Sequence, residues 1–381
     1  RARAATPPVK LVVVLANGGW DPTFTIDPKP ALVDGGPYPD LNPDDPLDVE
    51  EIIRYGEIDV STNARRRPSV TRYFDTWGDR TAVVNGLWVG SLSHWQAMVQ
   101  VLTGTPSEQS PDVAAIAGFE LAGDERLAAI DLGGVARFGR LAPYCARTGV
   151  RGQLNQLLAP HGVVSPDPWS PTDADRDAIR GYLDARAPAA GLDPRVFEAL
   201  AERSRALDRA ALLRSRGASL ADQLPDGERL AFADDVPFIV SLLANDLCQA
   251  VVTSTEFTWD THADASRQHG YWNGAFGGLA QLCAGLEAAG QLDSTLIVVL
   301  SEIGRSPRRN PAGGTDHWTF TSAVVVGAGV AGGRRVGGTD GELLTAAPVA
   351  YDAFAAGILD AVGVDAGAWL PGVTPFRGFS G

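Results

Sequence analysis

Cysteine is scarce: the 381 residues hold three, Cys145, Cys248 and Cys283, far apart and with no C-x-x-C pair. That spacing excludes a zinc ribbon, an iron–sulfur site and a disulfide scaffold, and predicts small buried hydrophobes instead. Lysine is scarcer still, only Lys10 and Lys29 among 32 basic residues, which reads as arginine-rich coding bias rather than selection for anion contacts. No apolar run approaches the roughly 20 residues of a membrane helix, so no membrane insertion is expected. G-x-S-x-G, H-E-x-x-H and the P-loop are all missing, which removes the common serine hydrolase, zinc protease and NTPase classes. Positive charge is in deficit, 46 acidic against 32 basic residues and a net charge of −14. Such a field repels phosphate backbones and anionic lipid heads, and nucleic acid is not an expected partner.

What is present is a chain that can bury a core, with 45% hydrophobic and 20% charged residues. The run 10–16 (KLVVVLA) predicts a strand covered on both faces, and Asn17-Gly18-Gly19-Trp20-Asp21 after it predicts a turn that hands a carboxylate to the strand's C-terminal edge. Strands are expected at 81–88, 250–255, 295–301 and 322–326, with helices at 94–103, 194–216, 236–247, 271–289 and 351–362. Gly104 is the expected stop of the helix that opens at His94. Residues 27–50, rich in proline and aspartate, read as a surface excursion. Between about 120 and 235 the composition turns to Ala, Leu, Arg and Asp at helical spacing. The expectation is one α/β domain over 1–381, a doubly wound, mostly parallel sheet between helices, with a helical insertion or flank at about 120–235.

Gly327-Ala328-Gly329-Val330-Ala331-Gly332 follows a predicted strand and matches G-x-G-x-x-G, but the following residues GRRVGGTDG cannot start the helix a dinucleotide site needs. The oxidoreductase reading is therefore the weakest of those considered. A stronger signal comes from His94, His262 and His317, each beside Ser, Thr or Asp at the end of a predicted element, while His269 follows His262 by seven residues and His161 lies in a Pro-His-Gly loop. Asp21, Asp260, Glu302 and Asp316 stand with them. Strand C-termini of an open α/β sheet line one crevice, so these acids and imidazoles converge there. In extended backbone Asp260 and His262 point to the same side and can reach one ion. Imidazole with carboxylate suits Zn, Mn or Fe, whereas an all-oxygen set such as Asp21 with Glu302 suits Mg or Ca. The structural alternative has Asp260 and Ser93 as helix caps and Arg305 paired with Glu302.

Thr258-Trp259-Asp260-Thr261-His262, Leu300-Ser301-Glu302-Ile303-Gly304-Arg305-Ser306-Pro307, Gly313-Gly314-Thr315-Asp316-His317 and the Gly327–Gly333 run together resemble the exported, sulfatase-related branch of the alkaline phosphatase superfamily. The resemblance spans 250–363; Gly18-Gly19-Trp20-Asp21 and Ser93-His94 fit it more loosely. It implies an alkaline-phosphatase-like α/β/α sandwich with metal ligands at Asp21, Asp260, His262, Glu302 and His317, in the family's order along the chain. The family's nucleophile register falls on His94, with Ser93 one residue before. Two departures stand out: the family's Asp-His pair after the strand is Glu302-Ile303 here, and Asp260 and His262 are separated by one residue instead of three.

The resemblance thus implies an exported hydrolase, periplasmic or extracellular, that acts on a small phosphate or sulfate ester with a divalent metal: Zn, Mn, Ca or Mg. In that reading Ser93 or His94 is the reacting group at a helix start and Arg305 clamps a second oxygen of the ester. The family commonly follows a twin-arginine signal, and a start at Arg1-Ala2-Arg3-Ala4-Ala5 reads as trimmed. The alternative is an exported, non-catalytic binding or structural protein on the same fold.

Overall fold

The computed structural model describes residues 9–29, 41–42, 44–123, 126–148, 173–186, 193–217, 220, 231–255 and 259–381. Its strands are β1 (Lys10–Ala16), β2 (Glu51–Tyr55), β3 (Ile58–Thr62), β4 (Thr81–Trp88), β5 (Leu127–Asp131), β6 (Ala146–Arg147), β7 (Cys248–Ser254), β8 (Thr295–Ser301), β9 (Gly304–Arg309), β10 (Thr315–Trp318), β11 (Phe320–Gly327), β12 (Arg334–Val336) and β13 (Val349–Ala350). The helices are α1 (Pro68–Trp77), α2 (His94–Thr103), α3 (Val113–Leu121), α4 (Asp173–Arg186), α5 (Pro194–Gly217), α6 (Phe232–Ala244), α7 (Arg267–Ala288), α8 (Tyr351–Ala361) and α9 (Ala366–Trp369).

β1 is buried along its whole length because it lies inside the sheet, parallel to β7 on one side and β8 on the other. Successive side chains of a strand point to opposite faces. Val12 and Val14 therefore enter one core with α1, α6 and α7, and Leu11, Val13 and Leu15 enter the other with α2, α3 and α8. The result is a nine-stranded sheet, in the order β12-β4-β11-β8-β1-β7-β5-β6 with β13 beside β4, between two helical layers. This is the expected three-layer α/β/α sandwich with a mostly parallel sheet; β11 alone runs antiparallel to both its neighbours, β4 and β8.

Sequence reading and structure differ in places. LAAID at 127–131 sits in a stretch whose composition reads as helical, yet it is β5, paired parallel with β7. The hairpins β2–β3 and β9–β10 were not foreseen either. The glycine run after β11 turns directly into β12 with no helix, so nothing there offers a helix N-terminus to a pyrophosphate. Two of its glycines answer to packing: a Cβ on Gly327 would stand 2.1 Å from the Thr295 carbonyl oxygen and one on Gly332 1.9 Å from that of Asp79. All three cysteines are free and buried, and burial pushes each thiol up to about 12. His161 lies outside the described residues. Among the described residues no helix is long and apolar enough to cross a membrane.

One buried acid gives the fold a measurable pH dependence. Asp112 caps α3, accepting from the backbone N–H of Ala115 (2.7 Å) and Arg137 (2.6 Å), and burial lifts its pKa from 3.8 to about 7. A raised native pKa favours the folded state fully below the unfolded value, and that contribution is lost as pH rises through the native one. Asparagine does not titrate; its NH2 cannot accept the Arg137 N–H as the second carboxyl oxygen does, a loss that is the same at every pH. Asp112→Asn should therefore gain on the wild type by on the order of 4 kcal/mol between pH 4 and pH 7.5. Urea unfolding at the two pH values checks this; parallel stability curves contradict it.

Candidate metal centre

β1, β4, β7 and β8 deliver their C-terminal ends to one edge of the sheet, and the β9–β10 hairpin folds over that edge. Glu302 follows β8, the 17–21 turn follows β1, Asp260 and His262 follow β7, His94 opens α2, and Asp316 and His317 lie on β10. The loops touch closely. Gly18 has φ +115°, and a Cβ there would lie 2.7 Å from the Asp260 nitrogen, so glycine is required both for the turn and for the approach.

Three imidazoles meet at Asp260. His94 Nε2 lies 3.7 Å from Asp260 Oδ2, and His262 Nε2 and His317 Nε2 lie 3.1 and 3.6 Å from Oδ1. The opposite nitrogen of each ring is anchored: His94 Nδ1 to Glu302 (2.7 Å), His262 Nδ1 to Asp316 (3.0 Å) and His317 Nδ1 to the Leu92 carbonyl (2.7 Å). A carbonyl can only accept, and a carboxylate does so when ionised, so each Nδ1 is placed to donate and each Nε2 is the ring atom turned toward Asp260. Metal-binding histidines are commonly oriented in this way, by an acceptor behind the ring.

Electrostatics favour the ligand form of His317, Asp260 and Asp316. Burial lowers the pKa of His317, and neighbouring His94 and Arg305 lower it further, which favours the neutral ring. Burial opposes ionisation of Asp260, but the Arg305 hydrogen bond and charge outweigh it and hold the carboxyl below its ordinary value. Asp316 is lowered by hydrogen bonds from Asn310 and His262. The donor set also fits a cation: among the described residues His94 Nε2 is buried with no hydrogen-bond partner, while His262 Nε2 and His317 Nε2 are 2.8 Å apart. Two lone pairs at that distance repel unless they share a proton or a cation.

The predicted residues divide by position. His94, Asp260 and His317 bring ligand atoms within 4.8 Å of one another, and His262 joins them through Nε2. Glu302 and Asp316 stand behind the rings; Glu302 is fully buried and also accepts from the Gly18 N–H. Asp21 is outside the cluster. It is fully buried, its Oδ1 taken by the Thr23 N–H and hydroxyl and its Oδ2 without a hydrogen-bond partner among the described residues, and burial lifts its carboxyl to about 7. Arg305 lies fully buried beneath the site rather than at its open side, donating to the carbonyls of Gly18, Gly19 and Thr315 and to Asp260 (2.6 Å); its acidic partner is Asp260, not Glu302. Ser93 is exposed in the cap position of α2, yet its side chain makes no capping bond. His269 is elsewhere, against Arg67, and burial with that charge pushes it down to about 2.

Sequence reasoning missed the supports. Asn310 donates to the His262 carbonyl (2.9 Å) and to Asp316 (3.0 Å); Leu92 acts through its backbone; Gln268 binds the loops from below. None carries a pattern in the sequence, since each is defined by a contact across the fold.

Residues 228–374 match a family model described as "Protein of unknown function (DUF1501)". No curated protein matches the chain. Among solved structures the chain is similar to the PsFucS1 sulfatase from Pseudoalteromonas sp., 13% identical over 94% of this chain and 68% of that one, with a TM-score of 0.38. It is similar also to the C-terminal periplasmic domain of EcEptC from Escherichia coli, 9% identical over 95% and 84% at a TM-score of 0.41. A protein in the alkaline phosphatase superfamily from Vibrio parahaemolyticus is 11% identical over 94% and 67% at a TM-score of 0.37.

Proposed function

We propose that the protein is a metal-dependent hydrolase of phosphate or sulfate esters that works outside the cytoplasm. The observation that carries this reading is the set of three imidazoles, each fixed by an acceptor at Nδ1 and each presenting Nε2 to one carboxylate. In this reading His94, His317 and Asp260 hold the ion, and His262 completes the set or faces the ester. Nitrogen-rich donors of this kind favour zinc or another transition ion over Ca or Mg. A divalent ion there would supply Lewis-acid charge to an anionic ester and to water.

The chain's own residues do the rest. Glu302, Asp316 and the Leu92 carbonyl hold the rings in the binding tautomer, and Arg305 turns Asp260 toward them. The start of α2 adds backbone N–H groups and the positive end of the helix dipole, which favour an anionic ester. Ser93, exposed one residue before His94, is the hydroxyl assigned to the reaction. The motif resemblance to an exported branch supports both the ester class and the location.

The test combines metal analysis of the purified protein with hydrolysis of aryl phosphate and aryl sulfate esters over Zn, Mn, Mg and Ca. Bound transition metal is expected, with turnover that falls at least about 100-fold in Ser93→Ala and in His317→Ala. Equal rates in the wild type and both variants, or metal binding without turnover on either ester, would favour a binding protein. Recovery of the native protein in the cytoplasmic fraction would contradict the location.

A further inference from the structure

We propose that Gln268 is a positioning residue for the centre: its amide fixes the backbone on both sides of Asp260 to the turn after β1 and so sets where the carboxylate stands. This inference rests on the metal-centre reading. Gln268 lies in the first turn of α7, fully buried. Its Nε2 donates to the Trp259 carbonyl (3.1 Å), the Thr261 hydroxyl (3.1 Å) and the Gly19 carbonyl (3.3 Å), and its Oε1 accepts from the Asp21 N–H (3.0 Å). Residues 259 and 261 flank Asp260; residues 19 and 21 belong to the β1 turn. One side chain therefore joins the two segments at four points.

An amide is the group suited to this task. It offers two N–H donors and one carbonyl, and the four partners are a donor and three acceptors, so one N–H is shared between two acceptors, the 3.3 Å bond to Gly19 being the longest. A glutamate would set an all-acceptor carboxylate against two carbonyl oxygens, and a methionine of similar length would leave them unpaired.

The floor under Gln268 is rigid. Trp20, Trp259 and Trp272, all fully buried, pack on one another with ring centroids 4.6, 5.3 and 6.2 Å apart, and Trp272 Nε1 donates to the Asp21 carbonyl (3.0 Å). From the other side the hairpin closes in: a Cβ on Gly314 would stand 2.1 Å from the Thr261 oxygen. With the loop held between these surfaces, the Gln268 bonds decide its register relative to Gly18 and hence to the histidines.

Metal-free full-length protein is titrated with Co2+, reading the ligand-field absorption and the dissociation constant, and its melting temperature is taken without metal. Gln268→Met is expected to bind Co2+ about 10- to 100-fold more weakly, the range for loss of a group that orients ligands, and to show a shifted absorption band at saturation. Leu242→Ala, a cavity near the C-terminal end of α6 beside the start of β7 and so at the opposite edge of the sheet, should lower the melting temperature yet leave the Co2+ constant and band unchanged. Should the methionine variant fail to fold, Gln268→Asn, which keeps the amide but withdraws it by one methylene, is expected to change both in the same direction. Wild-type affinity and band in whichever Gln268 variant folds, with the wild type binding Co2+, would overturn the proposal and leave the centre standing. A wild type that binds no Co2+ would overturn the centre itself.

Discussion

His317→Ala should bind a divalent ion more than about 100-fold more weakly than the wild type while remaining folded. Loss of a group behind a ligand already costs about 10- to 100-fold, and His317 supplies the ligand atom itself. Structurally the ring is dispensable: it is partly exposed, on a short strand of a surface hairpin, and its Nδ1 partner is the Leu92 carbonyl, which is exposed to water. His94→Ala should lose the ion to a similar degree and also lose stability, by about 1 to 3 kcal/mol, because Glu302 is fully buried and would be left with only the Gly18 N–H and Ser301 hydroxyl. Chelator competition reads the first quantity and urea unfolding of the metal-free proteins the second. Retention of wild-type affinity by both variants would exclude these histidines as ligands.

The contrast between those two residues marks where the sequence stops being readable. β1, β8 and β11 are legible as continuous β-branched runs because both faces are covered, and α2 is legible because Gly104 at φ +70° closes it. β5 is not, since an alanine-rich LAAID carries no strand preference and becomes a strand by lying between β7 and β6. The β9–β10 hairpin is hidden for another reason: Gly304–Arg309 holds three arginines and a proline, and only its register against β10, with His317 opposite Arg305, gives it a role.

At the site, the acids and imidazoles that meet could be named from their places at strand ends, but their division of labour could not. Glu302 and Asp21 are both acids just past a central strand, yet one faces the His94 ring and the other is turned into Thr23. Glu302 is oriented by partners 208 and 284 residues away in the chain, whereas Asp21 is held by a neighbour two residues on.

Arg305→Met should destabilise the metal-free protein by about 3 to 5 kcal/mol, the largest stability loss expected of any single change at the site. The guanidinium is fully buried and satisfies three carbonyl oxygens, Gly18, Gly19 and Thr315, besides the Asp260 carboxylate. Methionine fills much of the volume but donates nothing, so the Gly18 and Thr315 carbonyls lose this donor and Gly19 keeps only the longer bond from Gln268. The ion pair is the smaller part of the loss, because the Asp260 side chain is 47% exposed and water screens it. Asp260→Ala should accordingly cost under about 2 kcal/mol, and adding it to Arg305→Met should restore little. Arg305→Lys should fall between, since one ammonium cannot span acceptors that the planar fork reaches together. Urea unfolding of the four proteins orders these costs. If Asp260→Ala proved as damaging as Arg305→Met, the ion pair and not the carbonyls would hold the loops together, and Arg305 would act on the site through charge alone.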